Sequence, residues 1–424
     1  MTGSEDVEMT GKPETPDLAG PARACVERAR ALEPYLVGLL RELIAIPSLS
    51  GAEDRLAARV QAECERLGLR SGLDSCGNVI AETGRGPLAV LFDAHMDTVG
   101  PGDTANWDFD PYAGKVEGGV VFGRGASDNK GALAAMLCGL AIARELEIGQ
   151  SHCHTYLIGV VEEEVCEGWA VGEALRRGDV RADCVVLGEC TNLNLALGHR
   201  GRCEIELHTS GRSCHGSSPW RGENAVYEMA GWIGALEKLA GRLPRSPSLG
   251  PASLAVTAVS AAAGSPNVVP DQCWALVDRR VVPGESTAEA VRAVLAAAPH
   301  PTRARAGLVT YDLPSYTGLR KIVPKEFPAW ELDREHTLAK GAALAVQSIT
   351  GRRPAFGHWE FATDGVMTAG RLGIPTVGFG PADERWAHTV HDQVPVEQLV
   401  LAAAAYALMP EALATMMSPQ AALG

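Results

Sequence analysis

The chain has 424 residues, 46% of them apolar and 21% charged, the balance of a globular protein long enough for two or three domains. Its formal net charge of −14 argues against nucleic acid as the main partner, and no basic run suggests a membrane surface. No apolar stretch reads as a transmembrane helix, and the acidic start at Glu5, Asp6 and Glu8 lacks a signal pattern, so a cytoplasmic protein is expected.

Residues 1–20 are polar, with Pro13, Pro16 and Gly20, the composition of a disordered tail. The apolar spacing from Ala22 to Ile46 predicts one helix, stopped by Pro47, and a second runs from Glu53 to Leu67. Strands follow at Asn78–Glu82 and Leu88–Asp93. The latter ends in Asp93-Ala94-His95-Met96-Asp97. Residues two apart in an extended chain share a side, so His95 and Asp97 project together from the carboxyl end of a strand, where open α/β sheets keep their sites.

Val99 to Ala126, rich in Gly and Asp and holding Trp107 to Tyr112, reads as a site loop. A helix is expected over Lys130–Arg144. The strand Thr155–Val161 then runs into Glu162-Glu163-Glu164. A helix at Trp169–Arg177 and a strand at Cys184–Leu187 end at Gly188-Glu189. This alternation predicts an α/β domain with a mostly parallel sheet and helices on both faces.

The middle of the chain changes pattern. Cys203–Thr209 alternates as a strand, and Asn224 caps a helix with Val226, Met229, Ile233, Leu236 and Leu239 on one face. Leu254–Ala261, Gln272–Val282 and Ala306–Tyr311 read as strands, and Ser286 to Glu289 is a capping box. The order β-α-β-β-α-β is ferredoxin-like. An inserted domain is placed at about 200–311, within a catalytic domain of 21–199 and 312–424. Helices near Glu335–Thr350 and Val396–Met409 and a strand at Thr376–Phe379 return to the first pattern.

His95, Asp128, the Glu163–Glu164 pair, Glu189 and His388 all fall at predicted strand ends or in adjacent loops. Carboxylates crowded there repel one another, and a pair of divalent cations removes that cost. Two imidazoles and three carboxylates suit zinc, with cobalt or manganese possible. The eleven cysteines lie scattered without a CxxC pair and read as buried thiols. There is no G-x-S-x-G elbow for a serine hydrolase and no phosphate-binding G-x-x-x-x-G-K-[ST].

The motifs His95-Met96-Asp97, Gly123 to Gly131, Glu162-Glu163-Glu164, Gly188-Glu189, Gly211 to Ala225 and Ala387-His388 resemble the dinuclear zinc amidohydrolases of family M20. That family includes acetylornithine deacetylase, succinyl-diaminopimelate desuccinylase, aminoacylase and glutamate carboxypeptidase. Trp107 to Tyr112, Ser213 to Ser217, Asp278-Arg279-Arg280 and Pro314 to Gly318 look closest to its selenium-metabolism-associated branch.

The resemblance implies two zinc ions per subunit. His95 and Glu189 would hold one, Glu164 and His388 the other, with Asp128 bridging. Glu163 would be the general base, and Asp97 would orient His95. It also implies a cis peptide at Asp128–Asn129 and an obligate homodimer whose His215 enters the partner's site to stabilise an oxyanion. Arg280 would bind a substrate carboxylate, with Asn267 a polar contact near it and Asp364 beside the site.

In two departures from the family pattern, Asp392 stands where glutamate is common and Cys190 where proline is common. His391 is unexpected and reads as a substrate contact or competing ligand. Trp359, Phe361 and Trp386 are candidate pocket walls. The expected reaction is deacylation of a small N-acyl amino acid. A dipeptidase or carboxypeptidase using the same site is the alternative, and a catalytically idle binding dimer is a third reading.

Overall fold

The computed structural model describes residues 18–417. Most of the expected tail lies outside them, but its end does not: Leu18 is buried, and α1 begins at Ala19. The single helix expected from Ala22 to Ile46 is two, α1 (Ala19–Ala31) and α2 (Glu33–Ile44), because Pro34 in the first turn of α2 starts a new helix as readily as it ends one. The chain continues through α3 (Asp54–Arg66), β1 (Arg70–Leu73), β2 (Val79–Gly84) and β3 (Leu88–His95). Two short strands in the expected loop, β4 (Lys115–Glu117) and β5 (Val120–Phe122), form a small three-stranded sheet with Gln393–Pro395. Then come α4 (Lys130–Glu145), β6 (Cys153–Val160), α5 (Trp169–Arg177), β7 (Cys184–Leu187) and β8 (Leu195–His199).

The large sheet has the order β1-β2-β6-β3-β7, then Thr376–Gly378, β8 and Trp330–Glu331, with Phe356–Trp359 also on β8. It is mixed. The four strands from β6 to Thr376–Gly378 are parallel, and β1 and β2 are antiparallel additions. Because β6, β3 and β7 are parallel neighbours, their carboxyl ends open side by side. His95, Glu162 to Glu164, and Glu189 therefore leave the sheet at one place.

Behind the sheet, α4, α8 (Thr337–Thr350) and α10 (Val396–Met417) pack together. Tyr406 of α10 sits edge-on to Phe92 and Phe379 and donates its hydroxyl to the Phe379 carbonyl at 2.6 Å. Among the described residues, α10 is the one helix long and apolar enough to cross a membrane, against the expectation that no stretch of the sequence is; it extends the helix expected at Val396–Met409. Its most apolar window is 78% buried within the protein, which makes it a core helix.

The second sheet has the order Ser253–Ala262, Gln272–Val281, β9 (Gly201–Ser210), Ala304–Leu308, every pair antiparallel. On its covered face Cys203, Ile205 and Leu207 meet Met229, Trp232 and Leu236 of α6 (Ala225–Ala240), a core separate from the first. Asn224 accepts a hydrogen bond from Val226 N, and Ser286 and Glu289 form the capping box that opens α7 (Thr287–Ala296). On the opposite face Arg202 and Arg280 lie near the first domain, where Arg202 pairs with Glu167 at 3.0 Å.

His199, where β8 gives way to β9, is buried and neutral. Nδ1 donates to the Arg200 carbonyl at 2.9 Å, and Nε2 accepts from Thr363 N at 3.1 Å. Burial lowers its pKa to about 4, against 6.5 in the open chain. The unfolded state therefore binds one more proton between those values. The stability His199 provides is full above pH 6.5 and is lost as pH falls toward 4. We expect the stability gap between wild type and His199→Gln, from urea unfolding, to shrink by about 3 kcal/mol between pH 7 and pH 4. Parallel acid profiles would assign that acid sensitivity elsewhere.

Candidate metal centre

His95 closes β3. Its Nδ1 donates to the Asp97 carbonyl at 2.8 Å, which leaves Nε2 as the free ligand atom. That Nε2 lies 2.8 Å from Asp128 Oδ1 and 3.6 Å from Glu189 Oε1. His388 approaches from the other side, with Nε2 3.2 Å from Asp128 Oδ2 and 3.0 Å from Glu164 Oε2. Each oxygen of Asp128 thus faces a different histidine, the arrangement of a bridging carboxylate. Ligand atoms of His95, Asp128 and Glu164 lie within 4.8 Å of one another.

Two buried aspartates hold this cluster in shape. Asp97 accepts from Glu163 N and Glu164 N, both at 3.1 Å, and from Ser50 Oγ at 2.6 Å. It therefore positions the acidic turn as well as His95. Asp392 accepts from Gly125 N at 2.7 Å, Ser127 N at 2.8 Å, Ser127 Oγ at 2.6 Å and Arg124 Nη1 at 2.9 Å. It clamps the loop that delivers Asp128. Gly125 has φ +89, so that loop needs a residue without Cβ there. Arg124 stacks on Trp107 at 5.2 Å, and its N–H donates to the Pro111 carbonyl at 2.8 Å, which accounts for part of the Trp107 to Tyr112 motif. The Asp128–Asn129 peptide is cis. Glu162 and His388 have φ 59 and 60, left-handed values that flank the site with strained backbone.

The electrostatics suit a cation. Burial pushes Glu163 well up, and burial pushes Glu189 up to about 8. Hydrogen bonds to Asp128 and then Glu164 raise His388 to about 10. Burial works against ionisation of Asp128, but hydrogen bonds from His388 and His95 outweigh it and hold the carboxyl below its ordinary range. Protons on the two imidazoles would offset the carboxylates. A divalent ion would replace those protons, and two imidazoles with three carboxylates form a donor set that fits zinc.

A cavity of ≈ 380 Å³ opens on the cluster. Asp128, Glu163, Glu164, Glu189 and His388 line one side, and Arg202, Arg280 and Glu167 another. Glu163 Oε1 is buried and has no hydrogen-bond partner, so this carboxylate is uncommitted. Of the expected wall residues Phe361 lines the cavity. Trp359 is 4% exposed and donates to the Cys190 carbonyl, and Trp386 meets His391 edge-on at 6.4 Å.

Several expectations change. Asp364 is 3% exposed; it accepts from Gly168 N at 2.5 Å and shares its surroundings with Asp93, so it braces the floor and is sealed from substrate. Asn267 is not near Arg280. It is exposed, and its carbonyl accepts from Gly216 N at 2.6 Å, beside His215. Neither His215 nor Asn267 lines the cavity. His215 is exposed, with Nδ1 accepting from Ser217 N at 3.0 Å, so its Nε2–H points outward as a donor. Cys190 donates to the Ser127 carbonyl at 3.0 Å, burial pushing its thiol well up, and His391 is exposed. Arg202 and Glu167 were not singled out beforehand. In sequence, Arg202 looks like one polar step of an alternating strand.

The family model described as Peptidase family M20/M25/M40 matches residues 91–412. The Escherichia coli K12 protein YgeY is 37% identical over 396 residues, 92% of this chain and 97% of that one. A succinyl-diaminopimelate desuccinylase of Methylocella silvestris is 30% identical over 394 residues, 88% of this chain and 96% of that one. The M20 family metallo-carboxypeptidase Sso-CP2 of Sulfolobus solfataricus superposes with TM-score 0.72 at 17% identity, covering 90% of this chain and 99% of that one.

Stripping the protein with a chelator should lower its melting temperature by about 5–10 °C, and added zinc should restore it. His95→Ala and His388→Ala should lose that restoration. Zinc affinity should weaken as pH falls, because the ligands must shed protons to bind. Differential scanning calorimetry reads the first two effects and titration calorimetry the third. A melting point indifferent to zinc would remove the metal reading.

Proposed function

The chain belongs to peptidase family M20/M25/M40, metal-dependent hydrolases of amide bonds, and from that premise we propose that it is a deacylase of small N-acyl amino acids with two zinc ions. The observation that carries this reading is Glu163. It is an uncommitted buried carboxylate sharing a cavity with the ligand cluster on one side and with arginines on the other.

The ions, when bound, supply Lewis-acid polarisation of the amide carbonyl and acidify water. His95 and Glu189 would hold one ion, Glu164 and His388 the other, with Asp128 shared between them. Glu163 takes a proton from the attacking water and returns it to the leaving nitrogen. Its raised affinity for a proton suits both halves of that task. Asp97 keeps Glu163 and His95 in register. Arg280 binds the substrate carboxylate, since a guanidinium matches a carboxylate in shape and charge.

The oxyanion donor is His215 of a second copy. Within its own chain it lies off the cavity, with its Nε2–H free to donate. The strand Ser253–Ala262 supports a dimer. It is the edge of the second sheet, ten residues long and largely exposed, with Val259 60% accessible. A long exposed edge of small and apolar residues is a liability unless another strand covers it. Tyr227 on the adjacent helix α6 is 76% exposed and widens the same surface. Eleven free cysteines suit a cytoplasmic setting.

The reading is tested by amine release from the zinc-loaded protein. N-acetyl, N-succinyl and N-formyl amino acids are screened beside dipeptides, with a chelated control. Chelator-sensitive release from the acyl amino acids is expected, and release from dipeptides alone would replace deacylation with peptidase action. Glu163→Ala should keep its metal and lose about 10²–10⁴-fold in turnover. Metal loss in that variant would mean that Glu163 is a ligand. His215→Ala should remain dimeric by light scattering and turn over slowly. Mixing it with Glu163→Ala should recover activity, and an inactive mixture would place the oxyanion donor elsewhere.

A further inference from the structure

Arg202 and Arg280 are direct partners across β9 and Gln272–Val281. Directly opposed residues on one face of an antiparallel pair have Cβ atoms about 5 Å apart, and both side chains line the cavity that holds Glu163. Each guanidinium is already partly committed. Arg280 donates from Nε and Nη2 to Asp278 at 2.8 and 3.2 Å. Arg202 directs Nη2 at Glu167 and Glu204, at 3.0 and 3.3 Å, and lies over the Phe327 ring at 5.0 Å. Its Nε is buried without a hydrogen-bond partner. Among the described residues nothing pairs with Nη1 of either arginine.

Two unpaired N–H edges, side by side, match the two oxygens of one carboxylate. A dianion fits less well. Arg202, Arg280 and Lys325, which pairs with Glu204 at 3.2 Å, are balanced by Glu167, Glu204 and Asp278. That wall holds directed donors but little net positive charge. We propose that Arg202 is a substrate-binding residue that, with Arg280, seats a single free carboxylate of the amide substrate, one oxygen to each guanidinium. Phe327 and Glu167 fix the plane and rotation of Arg202, so the seat is formed before substrate arrives. The inference rests on the hydrolase reading above and deepens it by giving the substrate a monoanionic carboxylate and a second recognition residue.

The test compares free carboxylates with their carboxamides. Zinc-loaded wild type, Arg202→Gln, Arg202→Lys and Arg280→Gln are assayed on N-acetyl amino acids and on the same compounds amidated at the carboxyl group. Binding of N-acetylglycine and N-acetylglycinamide is measured in parallel by calorimetry. The preference for carboxylate over carboxamide, as a ratio of kcat/KM, should fall about 10- to 100-fold in each variant, chiefly through KM. Arg202→Lys keeps a charge beside Glu167 but has no Nη1 edge, so it should behave like Arg202→Gln. It also controls for misfolding caused by an unpaired Glu167. A ratio unchanged in the Arg202 variants overturns the proposal and leaves Arg202 as a tie between the domains, as does a wild type that binds neither probe. If no compound is turned over but N-acetylglycine binds wild type and loses about 10- to 100-fold in affinity in the variants, the hydrolase reading fails and the carboxylate seat stands.

Discussion

Mutual repulsion of buried carboxylates is the constraint around which this molecule is arranged. Asp128, Glu163, Glu164 and Glu189 converge where three parallel strands end, in a region with little water to screen them. A fold does not gather such groups for stability, because each pays desolvation and each raises the energy of the next. Their burial is tolerable only with cations among them. Protonated His95 and His388, or metal ions, would take that part. What looks like an electrostatic error in the chain alone is a donor set that suits positive charge.

The framework beneath that cluster also rests on carboxylates, used in the opposite way. Asp97 and Asp392 are buried, but backbone N–H groups and hydroxyls saturate them. Asp97 ties the end of β3 to the turn after β6. Asp392, near the metal-facing His388, ties the carboxyl-terminal part of the chain to the loop that delivers Asp128. Segments more than 250 residues apart in sequence are thereby fixed at the spacing a bridging ligand requires. The thiol of Cys190 is occupied by the Ser127 carbonyl, so a residue that departs from the family pattern supports the same loop without competing for metal.

Much of this was legible in the sequence, for identifiable reasons. Strand ends followed by His or Glu stand out because an apolar run and a charged terminus are both local signals, and His95, Glu163, Glu164 and Glu189 were found that way. The inserted domain was legible from its change of alternation and its capping box. The failures share a cause, since each depends on what a segment packs against. Leu195–His199 ends in Gly198 and His199, so it lacks the unbroken apolar run by which Cys184–Leu187 is read as a strand. Pro34 does not tell whether it ends one helix or begins another. Asp364 looks like an exposed loop acid until the fold closes Asp93 and Gly168 over it. Asn267 and Arg280 are close in sequence, yet the loop carrying Asn267 turns toward His215. Arg202 is the most instructive case. It stands just before the strand expected over Cys203–Thr209, and only the tertiary structure shows that the strand begins earlier and turns this side chain into a cavity.

The cavity thus has two walls of different origin. The metal-facing wall is built on strand ends of the first sheet, where backbone geometry leaves little freedom, and it sets the reaction class. The arginine wall is built on the middle of strands in the second sheet, where a residue can change without disturbing the ladder. On the proposed reading, exchanging a side chain at position 202 or 280 would alter what the cavity recognises and leave the register of β9 against Gln272–Val281 in place. Chemistry and recognition are therefore separable in this architecture. The two walls also rest on separate hydrophobic cores, the arginine wall on that of the second domain.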